Sequence, residues 1–397
     1  MSPSRPPESS VPLATQEISD AKLAWLALAL TPGLGPTRIL RAVSEMDGVP
    51  DSLFSLPLTG LEALKIPASA AQFIFDGKAR RAAEAEWKRI QAEGVGILTY
   101  GCAEYPERLR EIYDPPPVLW IRGNAALLSR YSIAVVGTRH PSPYGLQVAE
   151  SLSRDLANRH LLIVSGMARG IDTAAHKGAL AAHSPTVAIW GTGVDVIYPK
   201  ENKKLAEEIM ATGGAIAAEV PMGTFPAPQN FPRRNRILSG LSIGVLVVEA
   251  SENSGTRITA RCALDQNRDV FAVPGNVTNK NSWTPNFLIK AGAKLTATWE
   301  DIWEDLPSQI RMALEAELVA ASDLGPEASL PVQDKELKPQ EAQLLAILRQ
   351  DEALQLDEIM DKVGDQLSSS EVFMALFELE LAGKVRALPG KNYVRAM

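Results

Sequence analysis

The fold is decided by the segment SIAVVGTRHPSPYGLQVAESLSRDLA, residues 132–157, in which a short apolar run is followed by a polar, glycine-containing loop and a helical stretch. The next segment, LLIVSGMARGIDTAAHKGAL (residues 161–180), repeats that order. Both apolar runs are continuous rather than alternating, as expected for parallel strands that are buried on both faces. The two segments therefore predict consecutive β-α units of a doubly wound parallel sheet.

Similar apolar runs continue on both sides of these two segments. Helical stretches such as residues 202–211 and 257–267 separate several of them. The repeated order predicts an α/β fold, with an extended Rossmann-like, doubly wound and mostly parallel sheet over residues 94–305. Ligands of such sheets bind beyond the carboxyl ends of the strands. The further runs are residues 95–100, 186–191, 214–220, 244–250 and 270–275.

The flanking segments differ in composition from the sheet domain. Residues 1–19 are rich in proline and serine and are predicted to be disordered. Residues 20–93 predict a small all-α domain of the helix-hairpin-helix or SAM-like type, because the turn PGLGPTR joins two helical stretches. Residues 306–338 are acidic and predict a linker with one short helix near residues 309–320. Residues 339–397 hold three helical stretches and a hairpin, which predict a winged-helix domain.

The composition excludes several classes of protein. The chain has 397 residues, 46% of them hydrophobic, which suits two or three globular domains. Its two cysteines, Cys102 and Cys262, cannot form a disulfide framework or a cysteine-based zinc site. No apolar run reaches the ~18 residues that a membrane helix needs, and the N-terminus does not resemble a signal peptide. We therefore expect a cytoplasmic protein without a membrane partner.

The net charge of −7 hides an uneven distribution of charge. Basic side chains outnumber acidic ones in residues 131–300, whereas acidic side chains outnumber basic ones in residues 301–397. The local electrostatic field matters more to a ligand than the total charge. An anionic ligand is therefore expected at the central domain.

The loops after the first two quoted strands carry residues suited to anion binding. Glycine allows close approach to the backbone, helix starts offer free N–H groups, and arginine can form two hydrogen bonds with a phosphate. The alternative is a plain strand-to-helix turn with a solvated arginine. Asp172 is interpreted as the N-cap of the following helix, and His176 as a structural histidine bonded to Asp172 or to the backbone. The candidate residues are Gly137, Thr138, Arg139, Ser165, Gly166, Arg169, Gly170 and Asp172.

Two further motifs add to this candidate site. In FPRRNRILSGLS (residues 231–242), three arginines follow Phe231 closely, and charge for phosphates beside a ring for bases is typical of single-strand binding. The alternative is that the arginines pair with acidic side chains. It is weakened because no acidic residue lies within ten residues of the three arginines in the sequence. The segment SGT (residues 254–256) begins a helix and suits a phosphate. These motifs supply Phe231, Arg233, Arg234, Asn235, Arg236, Ser254, Gly255 and Thr256.

The order of the motifs resembles the DprA (Smf) family of DNA-processing proteins. The motifs are VVGTR, SGMARGID, WGTGVD, FPRRNRILSGLS, SGT and VFAVPG, and they span residues 135–275. The resemblance implies a Rossmann-like domain that binds single-stranded DNA without catalysis or a cofactor and that forms a homodimer. It also implies loading of a RecA-type recombinase onto incoming DNA during natural transformation. One departure is Thr284, at a position where the family usually has glycine.

A nucleotide-processing enzyme on the same architecture is the alternative hypothesis. The nucleoside-monophosphate phosphoribohydrolases carry a PGGxGTxxE loop with a catalytic glutamate. The nearest segment here, ENSGTRITA (residues 252–260), keeps Gly-Thr but has Thr259 where the glutamate would stand. The spacing of residues indicates no dinucleotide fingerprint, Walker loop, metal set or catalytic triad. We therefore expect a binding protein that is not an enzyme and that uses no cofactor or metal.

The flanking domains are expected to differ in what they bind. The backbone N–H groups of the PGLGPTR turn (residues 32–38) can hold a DNA phosphate, although such a hairpin is also a common structural device. The third helical stretch of the C-terminal domain, residues 368–382, contains Glu371, Glu378 and Glu380 and no basic residue. Winged helices that bind duplex DNA place basic and amide side chains on that helix. We expect this domain to contact protein rather than duplex DNA.

Overall fold

The computed structural model describes residues 18–323, 338–349, 353–364, 367, 369–381, 384–388, 390 and 392–395. Within residues 18–95, it shows a bundle of five α-helices. The Ser19 side chain caps the first helix by accepting a hydrogen bond from Lys22 N, and Pro36 opens the second helix, where its fixed φ is favourable. Between the two helices Gly33 has a φ of +76°, which glycine adopts without strain. The helices are α1 (Asp20–Ala29), α2 (Pro36–Ser44), α3 (Leu58–Ala63), α4 (Ala68–Phe75) and α5 (Lys78–Ala92).

The central domain is a large, mostly parallel sheet, which confirms the predicted α/β, Rossmann-like class. Within residues 96–305 the strand order is β1-β2-β6-β5-β4-β3-β7-β8-β9, and the pairs β1–β2 and β2–β6 are antiparallel. The elements in chain order are β1 (Gly96–Thr99), α6 (Glu107–Arg110), β2 (Val118–Gly123), β3 (Ser132–Val136), α7 (Pro143–Ala157), β4 (Leu162–Ser165), α8 (Ile171–Ala181), β5 (Thr186–Trp190), α9 (Lys203–Ala211), β6 (Ala215–Ala218), α10 (Asn230–Leu241), β7 (Gly244–Val247), α11 (Thr256–Asp265), β8 (Asp269–Ala272), α12 (Trp283–Lys290), β9 (Lys294–Leu295) and α13 (Trp299–Asp305).

The sequence pattern did not predict β2 and β9. Strand β2 follows three consecutive prolines, residues 115–117, which are typical of a loop. Because β2 was missed, its antiparallel pairing with β6 was missed as well. Strand β9 has two residues and is too short to show any periodicity.

The helical bundle shares a core with one face of the sheet. Trp25 of α1 and Ile90 of α5 are buried in the same apolar cluster as Trp120 of β2 and Ile216 of β6. The bundle is therefore fixed against the antiparallel side of the sheet. This contact brings α5 close to the loops that follow β5 and β6.

The strand order places a crevice at one edge of the sheet. Strand β3 lies between β4 and β7, so the direction in which the chain winds changes at β3. In doubly wound sheets the loops diverge at such a switch point and leave space for a ligand. The loops after β3, β4 and β7 all leave the sheet at this edge because the three strands are parallel.

His176 of α8 is a buried structural residue. Its Nδ1 lies 2.9 Å from Thr186 Oγ1 of β5, and not on Asp172 or on the backbone as interpreted from the sequence. Burial lowers the pKa of His176 to about 3, with a smaller contribution from the Arg234 charge. The imidazole is therefore neutral at physiological pH and does not take part in acid–base chemistry with Asp172.

A long helix, α14 (Ser308–Asp323), follows the sheet domain. Its Leu314 is buried in the same core as Leu306 and residues of α7. The predicted linker of residues 306–338 thus begins with a packed helix, and residues 324–337 lie outside the described residues. The predicted disorder of residues 1–19 falls mainly on residues 1–17, which also lie outside them.

The C-terminal domain has the predicted winged-helix arrangement, with Leu344, Ile359 and Leu376 in its core. The side chain of Arg386 contacts Glu150 of α7 at 3.2 Å. None of the helices in the described parts of the chain combines the length and apolar character that a membrane crossing needs. The elements are α15 (Pro339–Ile347), β10 (Leu354–Gln355), α16 (Leu356–Val363), α17 (Ser369–Leu381), β11 (Val385–Leu388) and β12 (Asn392–Arg395).

Candidate nucleic-acid interface

The crevice at the switch point of the sheet contains a cavity of about 700 Å³. It is bounded by the loops after β3 and β7 and by the first turns of α10 and α11. A smaller pocket adjoins it and is lined by Gly166, Arg169, Arg139, Phe231 and Arg234. The candidate residues on the larger cavity are Gly137, Thr138, Arg139, Asp172, Phe231, Arg234, Asn235, Ser254, Gly255 and Thr256.

Arg234 provides a buried positive charge at the cavity. Its side chain is 7% exposed and lines both pockets. Among the described residues, Nε and Nη1 of Arg234 have no hydrogen-bond partner. Buried guanidinium groups normally have their N–H donors satisfied, and both of these nitrogens have almost no solvent-exposed surface. A phosphate oxygen is the acceptor that such a group binds most strongly.

Asp172 is the acidic side chain that interacts electrostatically with the buried Arg234 guanidinium. Its carboxylate accepts hydrogen bonds from Gly166 N and Ala168 N, both at 3.2 Å. Burial raises the pKa of Asp172, although the Arg234 charge and the two N–H groups oppose the rise. Burial likewise lowers the pKa of Arg234, although Asp172 opposes the fall. The interpretation of Asp172 as an N-cap was wrong, because Gly170 is the N-cap of α8 and Asp172 shapes the preceding loop.

Gly166 leaves the space that the Arg234 guanidinium occupies. A Cβ atom at residue 166 would lie 1.4 Å from Arg234 Nη1. We expect Gly166→Ala to displace the guanidinium while the fold stays intact, because the far end of a long side chain can move. Affinity for single-stranded DNA should fall about tenfold or more, since one charge-assisted hydrogen bond contributes about 1.5 kcal/mol or more. Fluorescence anisotropy with labelled oligothymidylate measures the change.

The matched control for this substitution is Gly60→Ala. A Cβ atom at Gly60 would make only ordinary van der Waals contacts, at 3.4 Å or more, and the residue lies on α3 of the helical bundle. Gly60→Ala should bind DNA as the unmodified protein does. An affinity of Gly166→Ala equal to that of Gly60→Ala would show that the guanidinium position does not matter.

An aromatic surface lies beside Arg234. The rings of Phe231 and Tyr198 are 5.5 Å apart, and Arg139 Cζ lies 5.7 Å from the centroid of Phe231. Tyr198 is 39% exposed and both rings line the cavity. Such rings can stack with unpaired bases, while the arginines contact phosphates. Tyr198, in the loop after β5, was not among the candidate residues from the sequence.

Arg236 and Arg233 have acidic partners within the protein. The Arg236 guanidinium contacts both oxygens of Glu219, at 2.6 and 2.9 Å, and Asp114 Oδ2 at 2.8 Å. Arg233 is half-exposed and lies 3.6 Å from Glu219. Neither arginine lines the cavity. The absence of acidic residues close to the arginines in the sequence was a misleading indication that they are unpaired. Glu219 lies 14 residues before Arg233, and Asp114 comes from the segment before β2.

The other candidate residues after β4 have structural contacts. Ser165 is fully buried and its Oγ donates a hydrogen bond to Val135 O at 2.7 Å, which links the ends of β3 and β4. Gly170 has a φ of +77°, and a Cβ there would lie 2.4 Å from Thr138 O. Arg169 is exposed and paired with Glu201, at the border of the smaller pocket. These contacts fix the loop against the loop after β3.

Glu249, which follows β7, is bound to the start of α7. Its carboxylate accepts hydrogen bonds from Ser142 N at 2.8 Å and from Ser142 Oγ at 2.6 Å. Its own carbonyl oxygen accepts a hydrogen bond from Thr138 N at 2.6 Å. Thr284, at the position of the expected glycine, is buried and donates to Ser251 O at 2.8 Å. Glu249 and Thr284 therefore hold two loops of the cavity in place.

The described residues contain no group of three or more His, Cys, Asp or Glu side chains arranged to hold a metal ion. The lining includes the guanidinium groups of Arg139 and Arg234, which bind anions rather than cations, beside hydroxyl and amide side chains and the buried Asp172 carboxylate. The two arginines and the aromatic border together favour an anion as the ligand.

Comparison with known families gives two matches that together cover most of the chain. The sequence model of a family described as DNA recombination-mediator protein A matches residues 96–307. A second model, described as DprA winged helix domain, matches residues 326–391. The first match contains every residue that lines the cavity.

Curated proteins and solved structures give similar results. The chain is 41% identical over 303 residues to Protein Smf of Escherichia coli, which covers 73% of this chain and 75% of that protein. It is 43% identical over 218 residues to DNA processing protein DprA of Bacillus subtilis, and the alignment covers 55% of this chain and 73% of that protein. The X-ray structure of DNA processing protein A from Streptococcus pneumoniae aligns with a TM-score of 0.64 at 34% identity, covering 74% of this chain and 99% of that one.

Proposed function

The chain belongs to the DNA recombination-mediator protein A family, and on this premise we propose that its cavity binds single-stranded DNA and catalyses no reaction. The observation that carries the proposal is the buried Arg234 guanidinium, which lines both pockets together with the Phe231 ring. A duplex keeps its bases stacked on each other, so the ring can stack only with unpaired bases. The crevice therefore suits a single strand.

We further propose that the bound strand is passed to a RecA-type recombinase and that two copies of the chain associate through the Rossmann-like domain. The resemblance to the family supports both proposals. Exposed apolar side chains on α11 and α12, among them Ile258, Leu264 and Phe287, are candidates for the surface between copies. Two crevices side by side would lengthen the strand that is contacted and increase avidity.

The winged-helix domain is proposed to bind protein. Helix α17 exposes Phe373, Met374 and Phe377, which are 47%, 66% and 60% exposed, and Glu371 and Glu380 lie on the same helix. Apolar side chains among carboxylates do not suit a DNA duplex, which carries a dense negative charge. A protein surface that is apolar and basic would complement this helix.

The test of the proposed function is a salt titration of DNA binding. We expect sequence-tolerant binding to oligothymidylate that rises with strand length, and log Kd should change with log salt by about 0.7 per phosphate contacted. A duplex of equal length should bind more weakly. A chain that ends at Asp323 should keep the preference for single strands, because the cavity lies entirely before that residue. Equal affinity for duplex and single strand, or loss of binding in the shortened chain, would contradict the proposal.

The alternative, a phosphoribohydrolase, needs a catalytic glutamate in the segment that here reads ENSGTRITA, residues 252–260. Glu249 has both oxygens bound to Ser142, and Thr259 stands where that class of enzymes has its glutamate. The loop of residues 254–256 nevertheless lines the cavity, as a phosphate-binding loop would. Release of free base from a nucleoside monophosphate by the purified protein, lost in Glu249→Gln, would favour the enzyme over the binding protein.

A further inference from the structure

One wall of the crevice is formed by the segment that joins β6 to α10. Pro226 and Pro228 of this segment line the cavity, and Phe231 lies immediately beyond them at the start of α10. The segment has no helix or strand of its own between Ala218 and Asn230. Its position must therefore come from contacts with neighbouring elements.

Two carboxylates fix the beginning of this segment by binding consecutive backbone N–H groups. Glu86 Oε1 accepts a hydrogen bond from Met222 N at 2.8 Å. Asp195, in the loop after β5, accepts from Gly223 N with both oxygens at 2.8 Å. Glu86 is 6% exposed and belongs to α5 of the helical bundle. A hydrogen bond to a buried carboxylate is stronger than one between neutral groups.

Arg89 links the two carboxylates. Its Nη1 lies 3.3 Å from Glu86 Oε2, and its Nη2 lies 3.8 Å from Asp195 Oδ2. The guanidinium packs over Gly223, where a Cβ atom would lie 2.7 Å from Nη2. Gly223 has a φ of +75°, so the sharp turn at this point also requires glycine.

We propose that Glu86, Arg89 and Asp195 form a carboxylate clamp that positions the crevice wall for DNA binding. The inference rests on the proposed function. Glu86 and Arg89 belong to the N-terminal helical bundle, and Asp195 belongs to the sheet domain. The bundle thereby acts on the crevice through Met222 and Gly223 without contacting the strand, and Glu86 is a positioning residue.

Glu86→Ala and Glu86→Gln separate positioning from electrostatics, because both remove the same negative charge. Glutamine keeps an oxygen that can accept from Met222 N, whereas alanine does not. If Glu86 acted only through its charge, both substitutions would strengthen DNA binding equally. The clamp predicts that Glu86→Ala weakens binding to oligothymidylate about threefold to tenfold, which is the usual size of an effect transmitted through positioning contacts. The affinity of Glu86→Gln should stay within about twofold of that of the unmodified protein.

The matched control is Glu84→Gln, an exposed acid on the same helix. It should bind DNA within about twofold of the unmodified protein, as expected for an exposed charge. Hydrogen exchange supplies a second readout, in which Glu86→Ala should speed exchange at residues 222–229 and leave β3 and β4 unchanged. Equal affinity of Glu86→Ala and Glu84→Gln, or tighter binding by Glu86→Ala, would overturn the proposal.

A variant pair on the sheet domain covers the case in which Glu86→Ala does not fold. Asp195→Ala removes the acceptor for Gly223 N, and Asp195→Asn retains one oxygen. The clamp predicts the same order, with alanine weakening binding and asparagine largely preserving it. Equal affinities in this pair would overturn the proposal. Failure of the unmodified protein to bind oligothymidylate would instead contradict the proposed function, so the two failures are distinguishable.

Discussion

Arg234→Met is expected to lower the affinity for single-stranded DNA about tenfold to a hundredfold, because hydrogen bonds to a charged group contribute about 1.5–3 kcal/mol. The guanidinium is buried, lines both pockets and has two nitrogens without a hydrogen-bond partner in the described part of the chain. A phosphate bound in the cavity would interact with the guanidinium in a site of low dielectric constant, where the interaction is strong. Methionine preserves the length of the side chain, so that packing over Gly166 is kept. Anisotropy titrations at several salt concentrations measure the effect.

The salt dependence identifies the cause of the loss. Removal of one phosphate contact should lower the slope of log Kd against log salt by about 0.7. The matched control is Arg154→Met, which removes the same charge near the end of α7, away from the cavity. Arg154→Met should leave both the affinity and the slope nearly unchanged. Equal losses in the two variants would mean that total charge, and not the buried guanidinium, determines binding.

Phe231→Ala is expected to lower the affinity about fivefold to a hundredfold, because stacking of a base on an aromatic ring contributes about 1–3 kcal/mol. The ring lies 5.5 Å from Tyr198 and close to Arg139 at the border of the cavity. Phe231→Tyr keeps a ring of the same size and should bind nearly as well. In contrast to Arg234→Met, the salt slope should not change, because no phosphate contact is lost.

An exposed aromatic residue far from the cavity is the control for Phe231→Ala. Phe75, at the end of α4, is 55% exposed and does not line either pocket. Phe75→Ala should bind DNA as the unmodified protein does. A lower salt slope in Phe231→Ala, or unchanged affinity, would exclude base stacking on this ring.

Most of the fold follows from the sequence because buried parallel strands have a simple signature. Continuous apolar runs such as residues 132–136 and 162–165 can be strands only in the middle of a covered sheet. Since all these strands point the same way, the loops after them must meet at one edge, which predicts the crevice. Strand β2 could not be predicted in this way, because it is antiparallel to its neighbours and follows three prolines.

The roles of individual arginines could not be predicted from the sequence. Arg234 and Arg236 lie two residues apart in one motif, yet one is an unsatisfied charge at the cavity and the other is bound by Glu219 and Asp114. The difference depends on acids that only the folded chain brings to α10. The carboxylate clamp was hidden for the same reason, because Glu86 and Met222 are distant in sequence.

The central claim is that the strand lies in the crevice at the switch point of the sheet, and photocrosslinking tests it most directly. An oligothymidylate carrying 5-iododeoxyuridine is irradiated in complex with the full chain, and the crosslinked peptides are identified by mass spectrometry. Because this base reacts efficiently with stacked aromatic rings, the account predicts crosslinks at Phe231 and Tyr198. Crosslinks confined to the helical bundle or to the winged-helix domain would contradict it.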